Sequence, residues 1–235
     1  MRCLNCGSEL TGAYCPACGQ AARTGRLGAR DLLRPAADFI NADRGWTRTA
    51  VELFRRPAAM IDGYLAGKRA GLTEPFKYTI GAIALALLAL WLAAPPVMGA
   101  GERAAEAQRQ LNELMQRYGN VMLLATVPLL ALGTWLVFRA RGLNFVEHLA
   151  INAYVFAQQN LVSLPFVLVG AWVPAWYNPA MVVYYAFCAG YFAWVLRGVA
   201  ARAWWSALLG ALVIMASSYL LFGIAVTAVL VLTRL

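Results

Sequence analysis

Residues 204–232 read WWSALLGALVIMASSYLLFGIAVTAVLVL, an apolar run without a single charged side chain. At about 1.5 Å of rise per residue, a helix of this length outspans the ~30 Å hydrocarbon core of a bilayer, where backbone N–H and C=O groups must be satisfied within the chain itself. The stretch therefore reads as a transmembrane helix. Four comparable runs precede it, near 76–94, 120–138, 145–170 and 177–196, the first two a little short unless their flanks join them. Pro128 and Pro165 fall inside predicted spans and are expected to kink them. The whole 235-residue chain is 61% hydrophobic and 13% charged, with a mean hydropathy of +0.60. Soluble domains carry about 25% charged residues, so this composition excludes an ordinary soluble enzyme, and it excludes disorder as well.

Charge orients the spans. The chain holds 20 Lys+Arg against 11 Asp+Glu, and residues 1–77 alone hold 12 basic and 7 acidic side chains. Beside so apolar a body, a basic surplus reads as positive-inside topology and attraction to anionic lipid, and argues against nucleic acid. Nothing like an apolar leader follows Met1, so the N-terminus is expected in the cytosol. Five crossings then put Arg139, Arg141, Arg197 and Arg202 inside. They leave 95–119, 171–178 and the C-terminus outside, with 101–118 as a short helix clear of the lipid. Trp172, Trp176, Tyr177, Trp204 and Trp205 stand at span ends, where amphipathic rings suit the interface. The spans show no convincing repeat, which argues against an inverted-repeat transporter.

Four of the five cysteines form two pairs, Cys3-Leu-Asn-Cys6 and Cys15-Pro-Ala-Cys18. Two residues between thiols let both sulfurs of a pair face one ion, and two such knuckles complete a tetrahedral site for structural Zn2+. Gly7 and Gly19 follow the second cysteine of each pair, where positive φ lets backbone amides turn toward the sulfurs. Disulfides, a redox dithiol and an iron–sulfur cluster fit this context less well. Four thiolates leave no open coordination position, so the metal's task is to fold a head too small to bury a core of its own. Cys188 stands alone in an apolar run and reads as a small buried side chain.

Between the head and the first span lies a basic neck with helical periodicity. Leu32, Leu33, Ala36, Phe39 and Ile40 repeat at one-turn spacing, as do Trp46, Ala50, Leu53 and Phe54. These helices are too polar to span. They fit either the headgroup boundary, with Arg55, Arg56, Lys68 and Arg69 as membrane-surface cations, or a helical unit packed on itself or on the ribbon.

The third span is the odd one. Glu147 and His148 open it, His148 being the single histidine of the chain, and Asn144, Asn152, Gln158, Gln159 and Ser163 continue a polar stripe at about 100° per residue. Ionisable groups within spans mark ion or substrate paths, which makes Glu147, His148, Asn152 and Gln159 a candidate intramembrane site. The competing reading is interhelical hydrogen bonding and an interfacial ion pair with Arg139 or Arg141. No second zinc-protease histidine, Gly-x-Ser-x-Gly elbow or phosphate-cradling loop is present, so no enzyme is expected.

Taken in order, Cys15–Gln20 with its Cys-Gly-Gln end, Arg56-Pro57, Tyr64-Leu65-Ala66-Gly67-Lys68-Arg69, Pro75 and Glu147-His148 resemble a family of uncharacterised bacterial membrane proteins, known as a domain of unknown function. The resemblance covers nearly the whole chain and implies an inner-membrane location and a zinc-binding head, with no established reaction. The expected fold is an all-α polytopic membrane protein: a zinc ribbon at 1–20, a neck of amphipathic interfacial helices at 21–75, and about five transmembrane helices at 76–235. The expected role is a non-enzymatic adaptor or scaffold in the bacterial cytoplasmic membrane, touching lipid and a cytosolic or membrane protein partner through its ribbon. The alternative is a permease for a small solute, ion or lipid.

Overall fold

The computed structural model describes residues 1–28, 44–93, 113, 123–138, 142–200 and 202–233. The first neck pattern, Leu32 to Ile40, lies outside the described residues, as do Arg139, Arg141 and all of 101–118 except Glu113. After the ribbon come α1 (Arg44–Arg55), α2 (Pro57–Leu65), α3 (Pro75–Ala93), α4 (Leu123–Val137), α5 (Phe145–Trp172), α6 (Tyr177–Val199) and α7 (Trp204–Thr233). A 3-10 turn, Pro174–Trp176, joins α5 to α6.

Four of these helices, α3, α5, α6 and α7, are long and apolar enough to cross a membrane. The helix expected at 120–138 is described as Leu123–Val137, about 22 Å of helix, shorter than a hydrocarbon core. Local sequence sets several starts. Pro57 and Pro75 occupy the first helical turn, where a missing N–H costs nothing. The start of α5 is a capping box: the Asn144 side chain accepts from the Glu147 amide at 2.9 Å, and the Glu147 carboxylate accepts from the Asn144 amide at 2.8 Å. The helix runs on through Pro165.

The bundle is built around α5, which lies along α3 on one side and α6 on another, while α6 packs on α7. Its inner half is fully buried from Leu149 to Asn160. The outward faces are the reverse of a soluble protein's. Leu85, Leu88, Trp91, Val182, Val183, Leu209 and Leu212 are all exposed, as a lipid-facing surface requires. Trp172, Trp176 and Trp205 stand exposed at the helix ends.

Of the described neck helices α1 is amphipathic, whereas α2, expected to be so, is mostly apolar; both pack on the bundle. Gly45, Thr49 and Leu53 bury the inner face of α1, and Met60, Ile61 and Tyr64 that of α2, which lies against α6. Phe54, expected in the same stripe as Leu53, points outward. Tyrosine hydroxyls from the spans bind backbone carbonyls of the neck: Tyr191 donates to Leu53 at 3.1 Å and Tyr154 to Thr73 at 2.7 Å. Gln158 donates to the Ala50 carbonyl at 3.3 Å and accepts from Tyr78 at 2.5 Å. The rings pack together, with Trp46 5.2 Å from Tyr78 and Tyr64 edge-on to Tyr154 at 5.4 Å. Neck and spans thus share one core, in which buried hydroxyls satisfy carbonyls that lipid could not.

Candidate metal centre and its latch on the membrane helices

Two copies of one backbone pattern, offset by twelve residues, build the head. Cys3 N–H donates to the Ser8 carbonyl and Gly7 N–H to that of Cys3; twelve residues on, Cys15 N–H donates to Gln20 and Gly19 N–H to Cys15. Single antiparallel bridges, Arg2 with Glu9 and Tyr14 with Ala21, close each knuckle. Gly7 and Gly19 adopt φ of 77° and 72°, the left-handed conformation that ends each turn and that side-chain-bearing residues avoid.

The pattern brings all four sulfurs within 4.8 Å of one another. Cys3 and Cys18 sulfurs are 3.6 Å apart, those of Cys6 and Cys15 are 3.5 Å apart, and no two are bonded. A tetrahedral ion with thiolates at about 2.3 Å needs sulfur–sulfur edges of about 3.8 Å, close to the two short edges here, so the cluster could hold a metal ion. The thiols are unequal. Cys6 is drawn down to about 6 by the Ser8 hydroxyl and amide and by Cys15. Cys3 is lowered mainly by the Cys6 amide. On Cys18 the Gln20 amide pulls downward, but burial and the other three thiols outweigh it and push the group up to about 11. A thiolate thus forms readily on one side of the site, and the ion must displace a proton on the other.

The head is latched at two points. Gln20, equivalent in the repeat to Ser8, is buried against the neck turn. Its amide donates to the Gly67 carbonyl at 2.8 Å, and its oxygen accepts from the Arg69 and Ala70 amides at 2.9 and 3.1 Å. Gly67 holds φ of 96°, a conformation that side-chain-bearing residues rarely adopt, and a Cβ there would also displace the tip of the Leu4 side chain, 2.8 Å away. The Arg69 guanidinium donates to the carbonyls of Gly25 at 2.8 Å and Tyr64 at 3.3 Å, and lies over the Tyr64 ring.

The second point is Arg26. It forms a two-pronged ion pair with Glu147, at 2.7 and 2.6 Å, and donates to the Gly142 carbonyl. Beside it, the Asn144 side chain donates to the Leu27 carbonyl at 3.0 Å. The residues just past the ribbon therefore dock on the capped start of α5.

Beyond Glu147, the stripe on α5 divides. Gln158 is spent on Tyr78 and Ala50, and Gln159 donates to the Cys188 carbonyl of α6 at 3.1 Å. Asn160 donates to Phe156 of its own helix, and Ser163 to Asn160. His148 and Asn152 instead share Thr134 of α4: His148 Nδ1 lies 3.1 Å from the Thr134 hydroxyl, and the Asn152 amide donates to that oxygen at 2.8 Å and to the His148 carbonyl at 2.7 Å. Thr134 spends its own hydrogen on the Ala131 carbonyl. With the Thr134 hydrogen on Ala131, the shared oxygen would accept a hydrogen from His148 Nδ1, the tautomer in which Nε2 is an acceptor. Among the described residues, the buried atoms His148 Nε2 and Asn152 Oδ1 have no hydrogen-bond partner.

The residues expected at an intramembrane site therefore serve three separate purposes. Of the neck cations, Arg55 and Lys68 are exposed, Arg56 pairs with Glu52 at 3.1 Å, and Arg69 turns inward to the ribbon junction. Reasoning from sequence missed Arg26, Thr134 and the tyrosines. Gln20 stood in a quoted motif, but nothing in a single chain marks the turn it reads.

Residues 43–87 match the model of a family described as a protein of unknown function, DUF3667. No curated protein and no solved structure shows significant similarity to the chain. The matched segment holds Arg56-Pro57, the Tyr64–Arg69 turn and Pro75. Together with the four-cysteine cluster and the apolar helices, it fits the uncharacterised membrane family that the sequence motifs resemble.

Proposed function

We propose that the chain is a non-enzymatic membrane platform: a zinc-folded head on the cytosolic side of a bacterial inner membrane, held rigidly on a helical anchor and offering its free face to a protein partner. In this reading the metal is structural Zn2+, the N-terminus is cytosolic, the C-terminus lies outside, and nucleic acid is not a partner. The observation that supports it is where the polar groups of α5 go. Glu147 is consumed by Arg26, and Gln158 and Gln159 by neighbouring helices, as in structural joints. Tyr14, beside the second knuckle, is 68% exposed and is a suitable anchor for a partner.

A second reading, a permease using Glu147, His148, Asn152 and Gln159, is favoured by one observation, two buried polar atoms on His148 and Asn152 that have no partner among the described residues. Vesicles separate the two. Under the platform reading, a photo-crosslinker at Tyr14 captures one defined protein in native membranes, and His148→Ala changes no solute or proton flux. Flux that His148→Ala abolishes in a correctly inserted protein, with no crosslinked partner, would establish the permease instead.

A further inference from the structure

A groove of about 380 Å³ lies between α1, α6 and the first turn of α7, lined by Phe54, Phe187, Gly190, Tyr191, Trp194 and Trp204. Its floor is one face of α6. At about 100° per residue, Phe187, Gly190, Tyr191, Trp194 and Arg197 fall within an arc of about 120°, and the exposed Val183 continues that face one turn earlier. Packing fixes the walls. The Phe187 and Tyr191 rings stack 5.8 Å apart, Trp194 stands edge-on to Tyr191 at 6.4 Å, and the Tyr191 hydroxyl donates to the Leu53 carbonyl beside Phe54. Phe54, Trp194 and Trp204 form exposed rims. At Gly190 the floor is bare, since a Cβ there would meet nothing within 4 Å. In the last turn of α6, Arg197 lies over the Trp204 ring, 5.0 Å from its centre. A guanidinium seated on a ring by its face keeps its N–H edges for oxygen acceptors.

We infer that this groove holds one phospholipid, with an acyl chain laid along α6 from Trp194 toward Val183 and the phosphate against Arg197. Continuity with the hydrocarbon-facing surface selects the occupant. α6 and α7 are long and apolar enough to cross a membrane, and the groove runs out along α6 onto the exposed Val183. Arg197 stands two residues from the end of the apolar span Tyr177–Val199, the depth at which a phospholipid carries its phosphate, and a forked guanidinium matches phosphate oxygens. Trp194 and Trp204 beside it are the amphipathic rings that suit the headgroup boundary. A soluble anion would use Arg197 and leave the aromatic walls bare. The groove also gives the outward turn of Phe54 a purpose, because an acyl chain covers a ring that the bundle does not. The inference stands apart from both readings of function above, since neither uses this face.

The test uses the full chain in mild detergent, with native mass spectrometry reading added phosphatidylglycerol against diacylglycerol, which lacks the phosphate. Wild type should retain a single phosphatidylglycerol in preference to diacylglycerol. Gly190→Leu places a side chain in the bare floor and should lower retention of both lipids about tenfold or more, the equivalent of about two buried methylene groups, with a smaller loss for Gly190→Ala. Gly223→Leu makes the same change at an exposed glycine of α7 outside the groove, where a Cβ also meets nothing within 4 Å, and should leave retention unchanged. Arg197→Gln should lower the preference for phosphatidylglycerol about fivefold and leave diacylglycerol retention as it was. Leucine and alanine favour helix over glycine, and thermal unfolding reports that each variant is folded. Equal retention by wild type and Gly190→Leu, or equal loss in Gly190→Leu and Gly223→Leu, overturns the inference. A preference that survives Arg197→Gln overturns the placing of the phosphate. A wild-type dimer that Gly190→Leu dissociates at unchanged lipid retention overturns the inference in favour of an interface between copies.

Discussion

Replacing Gln20 by Ala should unlatch the head without emptying it of metal. The side chain is buried and makes three hydrogen bonds across a separation of 47 to 50 residues, to Gly67, Arg69 and Ala70. Each is worth about 0.5–1.5 kcal/mol net, and an orphaned buried group costs more. Gly67 is buried, whereas Arg69 and Ala70 are half-buried and can recover water, so the expected loss at the junction is about 2–3 kcal/mol. Hydrogen–deuterium exchange reads this directly, because the Arg69 and Ala70 amides are the donors being released. Their protection should fall by about 30- to 150-fold, at about 1.4 kcal/mol per factor of ten. Zinc stoichiometry should stay at about one per chain, since the four thiols are untouched. Gln20→Glu is a sharper probe. A carboxylate still accepts from both amides but sets an oxygen against the Gly67 carbonyl where an N–H now donates at 2.8 Å, so the Gly67 side of the junction should loosen while the Arg69 side holds. Unchanged amide protection in Gln20→Ala, or loss of zinc with it, would refute the division between a metal that folds the head and a glutamine that docks it.

Gly67→Ala combines a φ of 96° with a clash on Leu4 and should cost about 1–3 kcal/mol in thermal or denaturant unfolding, with Leu4→Ala relieving the clash but not the backbone strain. Arg26→Ala leaves the Glu147 carboxylate without its counter-ion; Arg26 is 57% exposed, so about 1–2 kcal/mol is expected, and adding Glu147→Gln should recover part of it in a double-mutant cycle. Zinc affinity should fall at least about tenfold for each pH unit between about 8 and 6, because Cys18, pushed up to about 11, must lose a proton to bind, and more steeply below the Cys6 value of about 6; a flat competition titration would contradict the four-thiolate site. His148→Phe removes the bond to Thr134 and the unpartnered Nε2 together, so stability should change by less than about 1 kcal/mol; a loss of several would mean that something occupies Nε2.

What was legible in the sequence divides by range. Uncharged runs longer than a bilayer reveal themselves locally, and so do two Cys-x-x-Cys knuckles, because each depends on neighbours along the chain. Lipid and metal chemistry impose that locality: spans must satisfy their own backbones, and paired thiols must be spaced to meet one ion. The partners of α5 were not legible. Glu147 was paired in expectation with Arg139 or Arg141, the nearest cations in sequence, whereas its carboxylate reaches Arg26, 121 residues away. Phe54 was placed in the buried stripe of α1 because periodicity registers a face but not its width. The neck could be read as lying on lipid because an amphipathic helix is equally content against headgroups or against other helices. The tyrosines that bind it to the spans sit inside apolar runs, where a hydroxyl looks like one more aromatic.

The motifs that seemed unrelated along the chain make one joint in space. Cys-Gly-Gln ends in the residue that reads the Gly-Lys-Arg turn; the turn's arginine returns to the Gly25 carbonyl of the connector; and the next connector arginine, Arg26, grips the glutamate of the Glu-His pair. Each contact fixes backbone that would otherwise be free, so their entropic costs are shared rather than additive. The ribbon must be folded for Gln20 to present its amide, because the Gln20 carbonyl is itself the acceptor for the Cys15 knuckle. An ion held by the four thiols would therefore contribute more than a small folded head. It would supply the rigid end of a brace running from four thiols through the neck to the capped start of the most buried span, and the two latches divide the load: Gln20 holds the neck turn, and Arg26 holds α5.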